Sequence, residues 1–73
     1  MAQKFTVTAN WDDEAKVFTS TSDIPGLVVE ADTFEEFVSL VEMLAPDMLE
    51  ANMPHVKRPY HLDIQSHRTL AVA

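Results

Sequence analysis

The stretch that decides the fold runs from Asn10 to Glu36 and reads NWDDEAKVFTSTSDIPGLVVEADTFEE. Near its centre, Pro25 fixes φ for the second position of a turn, and Gly26 tolerates the positive φ that a type II turn needs at the third. Gly26 is the only glycine in the chain, so its placement is informative. Residues 24–27 are therefore predicted to form a tight turn.

Before this turn, the sequence predicts an antiparallel hairpin. Apolar and polar residues alternate from residue 5 to residue 11, a period of two typical of a strand with one buried face. The alternating apolar residues are Phe5, Val7, Ala9 and Trp11. A charged loop at residues 12–14 follows, and then a second predicted strand at residues 17–21. The short separation favours antiparallel pairing of the two strands.

After the turn, residues 27–31 are predicted to form a third strand and Thr33 to cap a helix. The Thr33 hydroxyl can accept from the backbone N–H of Glu36, whose carboxylate can reach back in a capping box. An apolar stripe at helical spacing should pack on the sheet. Its members are Phe34, Phe37, Val38, Val41, Leu44, Ala45, Met48 and Leu49. Pro46 lies within this pattern and is expected to make the helix kink or restart.

The last part of the chain contains a connector at residues 51–59 and a fourth predicted strand in which Tyr60, Leu62 and Ile64 alternate with polar residues. The fold predicted for residues 1–73 is a single α+β domain of order β-β-β-α-β. Its sheet is antiparallel or mixed, with one helix on one face. Residues 68–73 are open to three interpretations: a fifth strand, an arm exchanged with a neighbouring molecule, or a frayed tail.

Size and composition favour a small acidic protein that associates with itself. A chain of 73 residues buries a modest core, and chains this small often rely on disulfides, a metal or oligomerisation. Cysteine is absent, so a homo-oligomer, most simply a dimer, is expected. The net charge of −7 argues against direct binding of nucleic acid. Such a charge can steer a basic protein to the surface, or it can serve only to keep the protein soluble. Without an apolar signal or membrane-spanning run, a cytoplasmic location is expected.

The sequence contains no constellation of residues typical of an enzyme. It has no glycine-rich phosphate loop and no cysteine nucleophile, and its serines lie in no activating motif. His55, His61 and His67 are evenly spaced but match no pattern of metal ligands. The acids at residues 12–14 lack the alternating oxygen ligands of a calcium loop. We therefore predict a protein with no catalytic, cofactor-binding or metal-binding residues.

The same residues resemble the HicB-like antitoxin family, in particular its short single-domain branch. The resemblance is carried by Trp11-Asp12 with Glu14-Ala15 and Val17-Phe18, by the Ser22–Leu27 turn, by Glu30-Ala31 with Thr33, and by the helix that contains Pro46. It implies a partly degraded ribonuclease-H-like fold. It also implies binding to a small basic, mRNA-cleaving HicA-like toxin, whose active surface the antitoxin would cover.

One departure from the family concerns DNA. Full-length relatives commonly carry a C-terminal DNA-binding domain, and residues 66–73 are too few for one, so its absence is expected. The residues predicted to bind a basic partner are Asp12, Asp13, Glu14, Asp23 and Glu30, with Leu40 and Met43 as apolar anchors. The alternative is an orphan homo-oligomeric domain, structural or ligand-binding, that has no toxin partner.

Overall fold

The structure is a computed structural model and describes residues 3–70 and 72. Its elements are β1 (Gln3–Asp12), β2 (Val17–Ser22), β3 (Glu30–Ala31), α1 (Phe34–Asn52) and β4 (Tyr60–His67). The strands form one sheet in the order β3-β2-β1-β4. β2 pairs antiparallel with β1 and β3, whereas β4 pairs parallel with β1. The predicted α+β fold of order β-β-β-α-β, with a mixed sheet and one helix, is confirmed.

The hydrophobic core lies between α1 and one face of the sheet. The strand alternation buries Phe5, Val7 and Ala9 of β1, and the helical stripe is buried at every fourth residue from Phe37. The remaining core residues are Val41, Ala45 and Leu49 from the helix and Ile24, Leu27, Val29 and Ala31 from the segment between β2 and the helix. Each large side chain buried here contributes about 1.5–3 kcal/mol.

The Pro-Gly turn forms as predicted and is attached to the helix. Gly26 has a φ of +79°, and the Leu27 N–H donates to the Ile24 carbonyl at 3.3 Å. The side-chain amide of Asn52 donates to the Pro25 carbonyl at 3.1 Å. The turn is therefore held against the C-terminal end of α1.

The third strand is shorter than predicted. Only Glu30–Ala31 pair regularly with β2, so the expected strand at residues 27–31 is wrong in its first three positions. At Val29, the N–H donates to the Ser20 side-chain oxygen at 2.8 Å, while its carbonyl accepts from the Ser20 N–H. A side chain thus replaces one ladder bond, and the regular ladder begins only at Glu30.

Helix α1 begins at its predicted cap. Thr33 is extended, with φ −127° and ψ 158°, and its hydroxyl accepts from the Glu36 N–H at 3.1 Å. Of the two hydrogen bonds of the predicted capping box, this is the one from the helix N–H to the side chain of the cap residue, and it caps the helix. The acids at the first turn also lie where the helix dipole favours negative charge.

Helix α1 continues through Pro46 to Asn52, so the expectation of a restart at Pro46 is wrong. The connector accordingly begins at residue 53 rather than 51. Proline removes one intrahelical donor, but Ala45 and Leu49 on either side are fully or almost fully buried. Packing of these residues on the sheet outweighs the local preference of proline.

The segment after β4 is not a fifth strand in its described part, residues 68–70 and 72. The Arg68 guanidinium lies over the Trp11 ring, 5.0 Å from its centroid. Leu70 and Val72 are 67% and 90% exposed. Residues 71 and 73 lie outside the described residues, as do residues 1 and 2.

Candidate functional site

The acids of the β1–β2 hairpin belong mainly to the turn itself. One Asp12 carboxylate oxygen accepts from the N–H groups of Glu14 and Ala15, at 3.0 and 3.2 Å. The Asp12 carbonyl accepts from the N–H of Lys16, whose φ is +58°. Asp12 therefore closes the turn, and the exposed Glu14 presents its carboxylate to solvent at the tip.

Asp13 is tied to its neighbours on the hairpin. Its Oδ1 accepts from Trp11 Nε1 at 3.2 Å and from Lys16 Nζ at 3.3 Å. The hydrogen bond from Trp11, then the hydrogen bond and charge of Lys16, hold the pKa of Asp13 below its usual 3.8. The Lys16 ammonium also offsets part of the negative charge of Asp12, Asp13 and Glu14. The hairpin tip therefore attracts cations less strongly than the three acids alone would.

Asp23 lies at the other end of β2. Its Oδ1 accepts from the Thr6 N–H at 3.0 Å, and its own N–H donates to the Thr6 carbonyl at 3.4 Å. It extends the β1–β2 ladder by one step, which is a structural role. Since Thr6 and Asp12 are six residues apart on β1, Asp23 lies about 20 Å from the hairpin tip.

The face of the sheet that α1 leaves uncovered is polar. The register places Thr6, Thr8 and Asn10 of β1 on it, beside Asp63 and Gln65 of β4. Glu30 points to this face as well, because it pairs with Thr19, which pairs with Asn10.

The histidines of β4 also lie on this uncovered face. His61 and His67 are six residues apart on the strand, which separates them by about 20 Å and prevents them from sharing an ion. Among the described residues, no group of three or more His, Asp or Glu is arranged to hold a metal ion.

A continuous stripe runs along a solvent-facing side of α1, beside the core. Its residues are spaced by four, three, four and three positions, which keeps them on one helix face. We call it the outer stripe, and it consists of Glu36, Leu40, Met43, Asp47 and Glu50. Met43 is 61% exposed, whereas Leu40 is half-buried and packs on the edge of the core. Helix α1 contains five acids and no lysine or arginine.

The predicted site residues therefore do not form one surface. Asp12, Asp13 and Glu14 share the hairpin tip, while Leu40 and Met43 share the outer stripe of α1, with Leu40 at the edge of the core. The sequence reasoning missed Asp47 and Glu50, which complete the stripe. Their spacing from Leu40 and Met43 was a usable signal, because positions three and four apart on a helix are neighbours.

Strand β4 forms one edge of the sheet and borders a depression. The depression has a volume of about 500 Å³ and is lined by Pro46, Arg58, Pro59 and Tyr60. Leu62 and Ile64, on the helix side of β4, are only half-buried.

The comparisons with known proteins define the family. The chain is an α+β domain whose residues 4–72 match the model of a domain of unknown function, DUF1902, and it belongs to this family. It is similar to the crystal structure of hypothetical protein TTHA1013 from the extremely thermophilic bacterium Thermus thermophilus, with a TM-score of 0.83. The two are 35% identical over 96% of this chain and 100% of that one. The comparison with curated proteins gave no match.

These comparisons show the family and the fold, and the descriptions they carry name no activity. They do not name the HicB-like family. Among the described residues, no helix is long and apolar enough to cross a membrane.

Proposed function

We propose that the chain is an antitoxin-like, protein-binding module whose partner is a small basic protein of the HicA-like toxin class. The single observation that carries the proposal is the outer stripe of α1. Three exposed carboxylates on it, Glu36, Asp47 and Glu50, surround the exposed Met43. The HicB-like motifs of residues 11–33 support the same class of partner.

The acidity of the stripe is not explained by the stability of the helix. Glu36 benefits from the helix dipole, but Glu50 lies in the last turn, where a negative charge costs about 0.3–1 kcal/mol. Asp47 and Glu50 are three positions apart, and like charges at this spacing cost roughly 0.2–0.5 kcal/mol. Helix α1 offers no cation to offset them. Binding to a basic surface would turn these costs into favourable contacts.

In this proposal the chain acts by occlusion rather than by chemistry. The net charge of −7 accelerates encounter with a cationic protein, and desolvation of Met43 and Leu40 slows its release. The RNA-binding surface of such a toxin must be cationic to hold phosphates, so an acidic stripe competes for the same side chains. We continue to predict that the chain is not an enzyme. The alternative, an orphan homo-oligomeric domain, predicts no such partner.

The test begins with affinity purification of the tagged chain from its own cells, followed by mass spectrometry. Stoichiometric recovery of a small basic protein is expected, and this protein should cleave mRNA in a manner that the chain inhibits. Recovery of the chain alone, or of a partner without ribonuclease activity, would overturn the proposal.

A matched pair of charge reversals then locates the surface. Asp47→Lys lies on the outer stripe, whereas Glu42→Lys makes the same change of charge on a flank of the same helix. We expect Asp47→Lys to raise the dissociation rate of the complex at least about tenfold, as for a close charge pair at an interface. Glu42→Lys should mainly slow association. Equal effects of both variants on dissociation would contradict the assignment of the stripe.

A further inference from the structure

Strand β4 leaves a long, unprotected edge on the sheet. It spans eight residues, Tyr60–His67, and within the described part of the chain it pairs with β1 on one side only. Sheets usually blunt such edges with lysine, proline, a bulge or a very short strand. The sequence YHLDIQSH contains neither lysine nor proline, its one carboxylate is Asp63, which pairs with Lys4 of the same copy at 3.6 Å, and its eight pairs with β1 run without a bulge. The opposite edge strand, β3, has only two residues, and its shortness protects that edge.

The sequence of β4 is complementary to itself around Ile64. When two identical strands pair antiparallel, residues that face each other point to the same side of the sheet. The two-fold axis that relates the strands must therefore lie beside one residue, which faces its own copy in the partner strand. An axis at Asp63 would place two carboxylates opposite each other, which is unfavourable. An axis at Ile64 gives seven pairs within the strand. It sets Ile64 against its own copy, Asp63 against Gln65, Leu62 against Ser66, and His61 against His67.

The same register also brings together two exposed features, the Leu70 side chain and the depression beside Tyr60. Continued beyond the strand, it brings Arg68 of one copy opposite Tyr60 of the other, and Leu70 opposite Arg58. If the dimer pairing extends the strand through residue 70, Leu70 has the same parity as Leu62 and Ile64 and falls on the helix side of the sheet. That is where the depression lined by Pro46, Arg58, Pro59 and Tyr60 lies.

We propose that two copies of this chain form a dimer by antiparallel pairing of their β4 edges about Ile64, with Leu70 of each copy in the depression beside Tyr60 of the other. The dimer joins two four-stranded sheets into one of eight strands, with both helices on the same side. It covers the half-buried Leu62 and Ile64 and adds buried apolar surface to a small domain. The outer stripe of α1 stays free, so this proposal does not depend on the proposed function.

Cross-linking of single cysteines tests the register. The chain has no cysteine, so Ile64→Cys introduces one thiol per copy. The Cα atoms of directly opposed residues in an antiparallel pair lie about 4.5–5.5 Å apart, within the range of roughly 4.4–6.8 Å that a disulfide spans. With oxidised glutathione as the oxidant, Ile64→Cys should become a covalent dimer. Leu62→Cys is the control, since its copy lies four residues away along the partner strand.

Two further pairs of variants keep the proposal testable if Ile64→Cys is poorly folded. Gln65→Lys should tighten the dimer and Gln65→Glu weaken it, each by about 2- to 30-fold, because each change acts on two equivalent pairs with Asp63. Leu70→Asp should weaken the dimer at least about tenfold by removing an apolar contact, whereas Thr69→Asp, on the other face, should have the smaller effect.

The readout is the dimer dissociation constant from analytical ultracentrifugation. A monomer at high micromolar concentration would overturn the proposal. A dimer that cross-links through Leu62→Cys or Asp63→Cys instead would overturn the register. A dimer insensitive to the charge at residue 65 would place the interface elsewhere.

Discussion

Asn52, the last residue of helix α1, donates from its side-chain amide to the carbonyl oxygen of Pro25 at 3.1 Å. The same amide nitrogen lies 3.0 Å from the point where a Cβ on Gly26 would stand. One side chain thus both fastens the turn to the helix and fills the space that a larger residue at position 26 would need.

Replacement of Gly26 should destabilise the fold. Its φ of +79° is strained for any residue with a Cβ, at a cost of roughly 1–2 kcal/mol. Gly26→Ala adds the close contact with Asn52, and Gly26→Val adds the further resistance of a β-branched residue. Urea denaturation should show a lower free energy of unfolding for Ala and a still lower one for Val. An unchanged midpoint would refute the assigned turn.

The Gly26 and Asn52 substitutions should not be additive. Asn52→Ala alone should cost about 0.5–1.5 kcal/mol through the lost hydrogen bond. In the background of Gly26→Ala, the same change removes the crowding side chain and should cost less. A double-mutant cycle measures this coupling. Simple additivity would mean that the chain relieves the contact in another way.

Removal of the Thr33 cap should lower the free energy of unfolding. The Thr33 hydroxyl accepts the Glu36 N–H at the start of α1, and loss of such a cap typically costs about 1 kcal/mol. Thr33→Ala should therefore lower the free energy of unfolding, while Thr33→Ser retains the acceptor and serves as the control. If the two variants were equally destabilised, the methyl group rather than the hydrogen bond would be responsible.

The contribution of Asp13 should depend on pH. Hydrogen bonds from Trp11 and Lys16, and the Lys16 charge, hold the pKa of Asp13 below 3.8, so the folded state favours the ionised form. This stability is present above pH 3.8 and disappears as the pH falls through the lower pKa of the folded state. The melting temperatures of the wild type and Asp13→Asn should differ most near neutral pH and converge below pH 3.8. A constant difference would contradict this role.

Charge reversal on the outer stripe should separate binding from stability. Asp47→Lys replaces a like-charge neighbour of Glu50 with an opposite one, worth roughly 0.2–0.5 kcal/mol at this spacing. The melting temperature should stay level or rise even though binding of a basic partner is weakened. A variant that lost stability together with binding would show that Asp47 has a structural role instead.

Local chemistry made part of this fold predictable. Alternation identified β1, the Pro-Gly pair identified the turn, and Thr33 with Glu36 located the start of the helix. Each of these signals acts over a few residues and needs no tertiary contact.

The errors lie where tertiary contacts outweigh local preference. Ser20 takes the Val29 N–H with its side chain, which no strand pattern reveals, and burial of Ala45 and Leu49 keeps the helix intact through Pro46. Pattern alone does not distinguish an antiparallel from a mixed sheet, so it does not predict the parallel pairing of β1 with β4.

The candidate site was only partly predictable for a similar reason. The sequence shows where the acids are but not what their carboxylates bind. In the structure, Asp12 and Asp23 accept hydrogen bonds from backbone N–H groups. Leu40 and Met43 were identified by their position off the core stripe. Their acidic neighbours on the helix face become evident once the helix is known to continue past Pro46.

The pairing of the first strand with the last has a consequence for folding. β1 begins at residue 3, and its parallel partner β4 begins at residue 60, so this ladder closes a loop that contains most of the chain. Such long-range closure is slow. During synthesis, β2, β3 and α1 can assemble on β1 while its other edge stays open, because β4 is made after them. That intermediate exposes an unpaired strand edge, which makes it prone to aggregation until β4 docks.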